Sequence, residues 1–167
     1  MLDGDTDDGA WTGSPQPART GLFADPLGGA ATPASEARLL WGDGVLYVLL
    51  YAADEDIRSE GDFFRLTFAR DRGGARPFVF DVSPRGSPPD GIHVAREIDG
   101  TVDDAGDRDE EWVVEMAIDL AALGLEAVRG RRFGFAIRRC DAGGSDGGSP
   151  ACASWGDGEQ RGHVVLE

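Results

Sequence analysis

Four aspartates stand at positions 3, 5, 7 and 8 of the opening MLDGDTDDGAW, with glycines at 4 and 9. Aspartates at alternate positions begin an EF-hand calcium loop, which needs D-x-[DN]-x-[DN]-G and a bidentate Glu at loop position 12. Asp3, Asp5 and Asp7 fit that template. Asp8 stands where the Gly is required, Ser14 where the Glu is required, and no amphipathic helix flanks the stretch. The template fails, and a polar, turn-rich entry anchored by Leu2 and Trp11 is the expectation. A second acidic stretch, AADEDI, carries Asp54 and Asp56, with Asp62 shortly after. A loop there could gather oxygens around one structural calcium; solvated acidic turns are the plain alternative.

Nucleophilic catalysis needs a His beside Ser or Cys. The chain has two histidines, His93 and His163, both in strand-like stretches and neither in a nucleophile motif. No phosphate-binding loop or dinucleotide fingerprint occurs, and the G-x-S-x-G string at 143–147 lies in a Gly-rich stretch without the strand-to-helix setting of a nucleophile elbow. Glycoside hydrolysis would need a carboxylate pair, but among 31 acidic residues no spacing singles one out. No enzymatic activity is expected of this chain.

Two cysteines, Cys140 and Cys152, bracket the Gly-rich stretch DAGGSDGGSPA. They are expected to form a disulfide closing a short loop, which fits an oxidising compartment; two unrelated free thiols are the alternative. Two sulfurs without a nearby His do not make a zinc site.

A length of 167 residues suits one domain, 1–167, with a real core. The net charge of −15 leaves no basic face for nucleic acid or for an anionic membrane. All 16 basic residues are Arg; Lys and Asn are both absent, which points to a GC-rich genome and leaves no N-glycosylation sequon. No apolar run approaches a membrane span. The first 20 residues are acidic and polar, unlike a signal peptide, so an extracellular or periplasmic protein is expected here without its leader.

The elements that must position these residues have a period of two. SEARLLWGD and GVLYVLLYAAD read as a hairpin about Gly42-Asp43-Gly44, the second strand apolar on both faces and therefore central. FFRLTFAR and RPFVFDVS read as a second hairpin about DRGGA. IHVAREI follows, then EWVVEMAID with Trp112, Val114, Met116 and Ile118 on one face. RFGFAIRRC places Phe133, Phe135 and Ile137 inward, and HVVLE closes the chain. The 84–91 and 141–149 stretches read as loops. The predicted class is all-β: a two-sheet antiparallel β-sandwich, jelly-roll or immunoglobulin-like, with one short helical turn near 119–124.

The order LDGDTDDGAW, ARLLWGDGVLYVLLYAADEDI, GDFFRLTFARD, FVFDVSPRG, EWVVEMAIDLAALG, FGFAIRRCD, ASWGDG and a short terminal strand covers nearly the whole chain. It resembles the family 9 carbohydrate-binding modules and their relatives in the DOMON-like sandwich group. The resemblance implies a sugar-binding β-sandwich accessory to secreted glycoside hydrolases or cell-surface proteins, with xylan or cellulose as ligand. It implies a monomer or a module of a larger chain, and no required cofactor. Some members hold structural calcium. In that family LDG-x-x-D-x-x-W is a packed N-terminal turn, so Trp11 should be buried.

The family's best-known members clamp a terminal sugar between two tryptophans, whose faces stack on the pyranose ring. Ser59 falls at one of these positions, and the passage from SWGDGEQ to GHVVLE lacks the loop that carries the other; Trp155 matches a different family tryptophan, and through the resemblance both Ser59 and Trp155 are candidate ligand-binding residues. A family Glu falls on Arg65, a family Arg on Asp81 and a family Gln on Arg138. Strand alternation bears on this independently. If Phe64, Leu66 and Phe68 share the core with Phe78, Phe80 and Val82, the compact register sets Leu66 against Phe80 and Arg65 against Asp81. Arg65, Asp81 and Arg138 would then share one polar face able to bind sugar hydroxyls or, with two Arg to one Asp, an acidic ligand. The pair could equally be plainly structural.

Two other functions remain open. The same sandwich could serve as a structural or protein-interaction domain whose sugar site has decayed. A haem-binding relative would need axial ligands such as Met116 with His93.

Overall fold

A computed structural model describes residues 2–13, 15–70, 76–143, 150–156 and 162–167. Among the described residues one α-helical turn, α1 (Gly9–Thr12), precedes ten strands. These are β1 (Ala18–Arg19), β2 (Ser35–Gly42), β3 (Val45–Ala53), β4 (Phe63–Ala69), β5 (Phe78–Val82), β6 (Ile92–Asp99), β7 (Glu111–Asp119), β8 (Arg132–Asp141), β9 (Ala151–Trp155) and β10 (Gly162–Val165). All their pairings are antiparallel, in two sheets. The first sheet runs β1-β2-β3-β7-β6; the second runs β10-β8-β4-β5, with β9 also paired to β8. β10 meets the start of β8 and β9 meets its end, so the two divide one edge of that strand.

The β2–β3 hairpin turns where the sequence placed it. Asp43 and Gly44 both take positive φ, 51° and 85°, the signature of a two-residue I′ turn. β3 is central, between β2 and β7. Residues 119–125 form tight consecutive turns, with Ala122, Leu123 and Gly124 donating to carbonyls three residues back. The turn between β4 and β5, expected at DRGGA, falls on residues 71–75, outside the described residues, as does 144–149 of the Gly-rich stretch.

The core lies between the sheets. Leu46, Val48, Leu50, Trp112, Val114, Met116 and Ile118 face Phe64, Leu66, Phe68, Phe133, Phe135 and Ile137, all essentially inaccessible to water. Phe68 packs against Phe80, Phe133 and Phe135. Alternation alone accounts for this: β-branched, aromatic and leucine side chains recur at every second position.

The outer face of the first sheet is covered over Leu49, Val113 and Glu115, while Tyr47, His93 and Glu97 on the same face stay exposed. Trp11 forms a second small cluster with Leu49 and Val113. Beneath it lies Glu115, buried on β7. Its Oε2 accepts from the amides of Asp3 (2.9 Å) and Gly4 (3.2 Å), and its Oε1 accepts from Trp11 Nε1 at 3.1 Å. Gly4, at φ 91°, lies so close to β6 that a Cβ there would stand 2.7 Å from the Glu97 nitrogen. The opening LDG…W is therefore a strap across this face, and Trp11 is buried as expected. Its alternating aspartates form successive turns: Asp3 Oδ1 accepts from the Asp5 amide and Asp5 Oδ1 from the Asp7 amide. The same i to i+2 bond recurs at Asp25, Asp54, Asp104, Asp119 and Asp141. In a chain without Asn, Asp carries this turn chemistry, and part of the negative charge follows from it.

Candidate functional site

The outer face of the second sheet is open and polar. Arg65 of β4 stands directly opposite Asp81 of β5 and, on its other side, opposite Arg138 of β8, which in turn faces Ser154 of β9. The register pairs Leu66 with Phe80, as the compact arrangement required. The Arg65 guanidinium forms a planar fork on Asp81, with Nε to Oδ1 and Nη2 to Oδ2 both 2.7 Å. Both side chains are nearly half exposed, at 46% and 43%. The bonds to Asp81 raise the Arg65 pKa above its ordinary value, so the fork stays charged. The Phe63 ring lies beneath, 5.3 Å from the guanidinium carbon. Beside the fork, Arg65, Thr67, Ala136, Ile137 and Arg138 line a shallow depression of about 180 Å³. Such a surface offers donors in fixed planes and one carboxylate, a combination suited to neighbouring hydroxyls.

Trp155 and Ser59 do not join this face. Trp155 pairs with Ile137, an inward residue, so its ring turns toward the core and lies 6.1 Å from the Phe135 ring. Its ring also crowds Gly162, where a Cβ would come within 2.6 Å. Ser59 lies in the loop before β4, and its amide donates to Asp103 Oδ1 at 2.8 Å. That bond holds the Asp103 carboxyl below its usual range.

Cys140 and Cys152 are joined in a disulfide. They are cross-strand partners of β8 and β9, and Cys140 also stands opposite Phe63 of β4. The disulfide thus ties β9 to the same outer face that carries Arg65.

Asp54, Asp56 and Asp62 are all buried, at the loop end of the sandwich. Asp54 and Asp62 each turn an oxygen toward the Arg139 guanidinium, while Asp56 turns to Arg58. Asp62 accepts from the Arg58 and Ala142 amides, each at 2.6 Å. Asp56 Oδ2 takes the Arg58 side chain, and Asp54 Oδ2 takes Arg139. Asp56 Oδ1 is a buried oxygen without a hydrogen-bond partner, but calcium requires six to eight oxygens. No group of three or more His, Cys, Asp or Glu among the described residues could hold a metal ion. The residues present do not fit a calcium site. A fourth acid that the sequence did not single out, Asp109, is buried nearby and accepts from the Ile57 and Thr101 amides.

The residue missed by sequence reasoning is Arg139. It continues the inward stripe of Phe133, Phe135 and Ile137, and that parity was the available signal; the adjacent Arg138 points outward. Its guanidinium lies over the Phe64 and Trp112 rings, 5.9 and 5.5 Å from their centroids. Burial and the neighbouring Asp62 push the Asp54 pKa up to about 6 against the pull of Arg139.

The haem pairing meets a geometric obstacle. Met116 is paired with Val94 and lies in the core, whereas His93 is paired with Ala117 and is exposed. Adjacent positions on a strand point to opposite faces, so His93 and Met116 cannot flank one haem.

No family model matches the sequence, and no curated protein matches it. The similarity lies in the fold. A family 9 carbohydrate-binding module from Caldicellulosiruptor kristjanssonii, solved in complex with cellotriose, superimposes with a TM-score of 0.69 at 16% identity, over 100% of this chain and 89% of that one. A structure of such a module from the same organism in complex with glucose gives 0.67 at 17% identity, over 100% and 91%. A Bacteroides uniformis protein described as a candidate carbohydrate-binding protein gives 0.61 at 12% identity, over 90% and 87%. The chain has the fold of the family 9 carbohydrate-binding modules, the family its sequence resembles.

Proposed function

We propose that this chain is a non-catalytic carbohydrate-binding module that lays a neutral polysaccharide, such as xylan or cellulose, on the open face of its second sheet. The contrast between the two outer faces carries this reading. The first sheet's outer face is strapped by the N-terminal segment, with Glu115 and Trp11 buried beneath it. The second sheet leaves Arg65, Asp81 and Arg138 at the surface around a depression. Neighbours solved with cellotriose and glucose support sugar as the ligand class. In this reading Arg65 and Asp81 hold each other in plane and bond adjacent hydroxyls, Arg138 bonds a third, and Phe63 borders the sugar. The module acts outside the cytoplasm, extracellular or periplasmic, alone or within a larger chain alongside a glycoside hydrolase; the disulfide supports that compartment.

Depletion of the folded protein from solution by insoluble xylan, cellulose and chitin tests the reading. Depletion by one of them, lost in Arg65→Ala, is the expected result.

One observation favours a second reading. The tryptophans pack against the protein: Trp11 and Trp112 are buried, Trp155 turns inward, and Trp41 packs on the core with its Nε1 donating to the Glu167 carbonyl. Among the described residues no tryptophan face is presented for a pyranose to stack on. A structural or protein-interaction sandwich with a decayed sugar site would look like this, and absence of depletion by every polysaccharide would favour it.

A further inference from the structure

We propose that Arg139 is the internal cation of this sandwich, its guanidinium shared by the buried carboxylates Asp54 and Asp62 and the half-buried Asp141 so that the fold requires no divalent ion there.

The argument begins with its strand. Alternation along β8 sends residue 139 inward after Phe133, Phe135 and Ile137, so a charged side chain enters where an apolar one would continue the core. Only 3% of Arg139 is exposed. A buried charge is costly unless it is paired and hydrogen-bonded. Arg139 meets that condition at its two Nη atoms with three acids, Asp54 and Asp62 from distant segments and Asp141 two residues along β8, while its buried Nε has no hydrogen-bond partner. Nη2 donates to Asp54 Oδ2 at the end of β3 and lies 3.5 Å from Asp141 Oδ2, while Nη1 lies 3.7 Å from Asp62 Oδ1. Nη1 also donates to the Cys140 carbonyl. The Phe64 and Trp112 rings form an aromatic floor. A planar, weakly hydrated guanidinium can occupy such a place, whereas a small hydrated ion against two aromatic rings would lack ligands on that side.

The remaining oxygens reinforce the assignment. Both oxygens of Asp62 accept backbone amides, and Asp54 Oδ1 accepts the Asp56 amide at 3.1 Å. The loops before β4 and after β8 are thereby folded onto the acids that Arg139 neutralises. Three carboxylates share one cation, and burial keeps the Asp54 and Asp62 pKa values above the ordinary range. The pairing stands apart from the sugar face, so it holds or fails independently of glycan binding.

Thermal unfolding of the whole chain at pH 7 provides the test, in EDTA and in 5 mM calcium chloride. The natural sequence should unfold at the same temperature in both. A midpoint several degrees lower in EDTA would overturn the proposal, since the fold would then depend on a bound ion. Arg139→Met keeps the length of the side chain and removes its charge. It should lower the midpoint by about 10 °C in EDTA and regain part of that loss in calcium. A midpoint equal to that of the natural sequence would overturn the proposal. If Arg139→Met does not fold, Asp54→Asn and Asp62→Asn added to it should restore folding by removing the unbalanced charge. If that combination also fails to fold, the role of Arg139 is packing rather than charge, and the proposal falls.

Discussion

Arg65 and Asp81 face each other across β4 and β5 with two parallel bonds of 2.7 Å, on the outside of a sheet whose inside is filled by Leu66 and Phe80. An exposed ion pair contributes little to stability, typically about 0.2–1 kcal/mol. In the proposed reading, its placement beside Arg138 on an open face serves recognition instead. Arg65→Ala and Asp81→Ala are each expected to weaken polysaccharide binding by about tenfold or more, the loss of one or two charge-assisted bonds. The unfolding free energy from urea titration should change by less than about 1 kcal/mol. Affinity gels containing soluble xylan or hydroxyethylcellulose, run beside urea titrations, separate the two effects.

Glu115 is expected to matter more to stability than any exposed acid. It accepts three donors beneath the N-terminal strap. Glu115→Ala leaves those donors without a partner and should cost about 2–4 kcal/mol. Trp11→Ala empties the cluster with Leu49 and Val113 and should cost about 3–5 kcal/mol. Gly4→Ala should also destabilise, because its φ of 91° and the 2.7 Å approach to the Glu97 nitrogen admit no Cβ. Urea denaturation followed by tryptophan fluorescence measures all three.

Stability should rise on mild acidification. The Asp54 pKa is raised from 3.8 to about 6, chiefly by burial and then by Asp62. The folded state therefore binds this proton more readily than the unfolded state does. The stability it confers is complete below about pH 4 and is lost as pH rises through about 6. A shift of about two units corresponds to at most about 3 kcal/mol. Asp103 has the opposite sign: the Ser59 amide lowers its pKa, so its contribution disappears in stronger acid. Denaturation free energies at pH 8 and pH 5 should show the rise in the natural sequence and a smaller one in Asp54→Asn.

The disulfide spans a sequence separation of 12. Loop-closure entropy for such a ring is about 3 kcal/mol. Cys140→Ser with Cys152→Ser should lower the thermal midpoint by about 6–12 °C for a domain of this size. Hydrogen exchange should rise first in β9, the short strand that the disulfide ties to β8.

Much of this architecture was legible in the residues. Turn chemistry at Asp43-Gly44 and the alternation of Phe64, Leu66 and Phe68 fixed hairpin and register, since a slip of one residue would turn a whole apolar stripe outward. The disulfide was legible from two cysteines beside a Gly-rich loop. The short strands β1 and β9 were not, because two to five residues carry too little alternation to stand out.

Sequence by itself determined which residues share a face; the tertiary structure decided what covers each face. Alternation places Val113 and Glu115 opposite the core stripe of β7, but only the distant strap of Asp3, Gly4 and Trp11 makes that side an interior. It sets Arg138 and Arg139 on opposite faces, but only the arrival of Asp54 and Asp62 from distant segments, beside Asp141 of the same strand, makes Arg139 a buried, paired charge, while Arg138 stays at the surface. Trp155, grouped with the sugar face through resemblance, turned inward because its partner on β8 is Ile137. The period of a strand is a local property of the backbone, whereas burial depends on contacts between residues about a hundred positions apart, as between Trp11 and Glu115, and no local pattern encodes those.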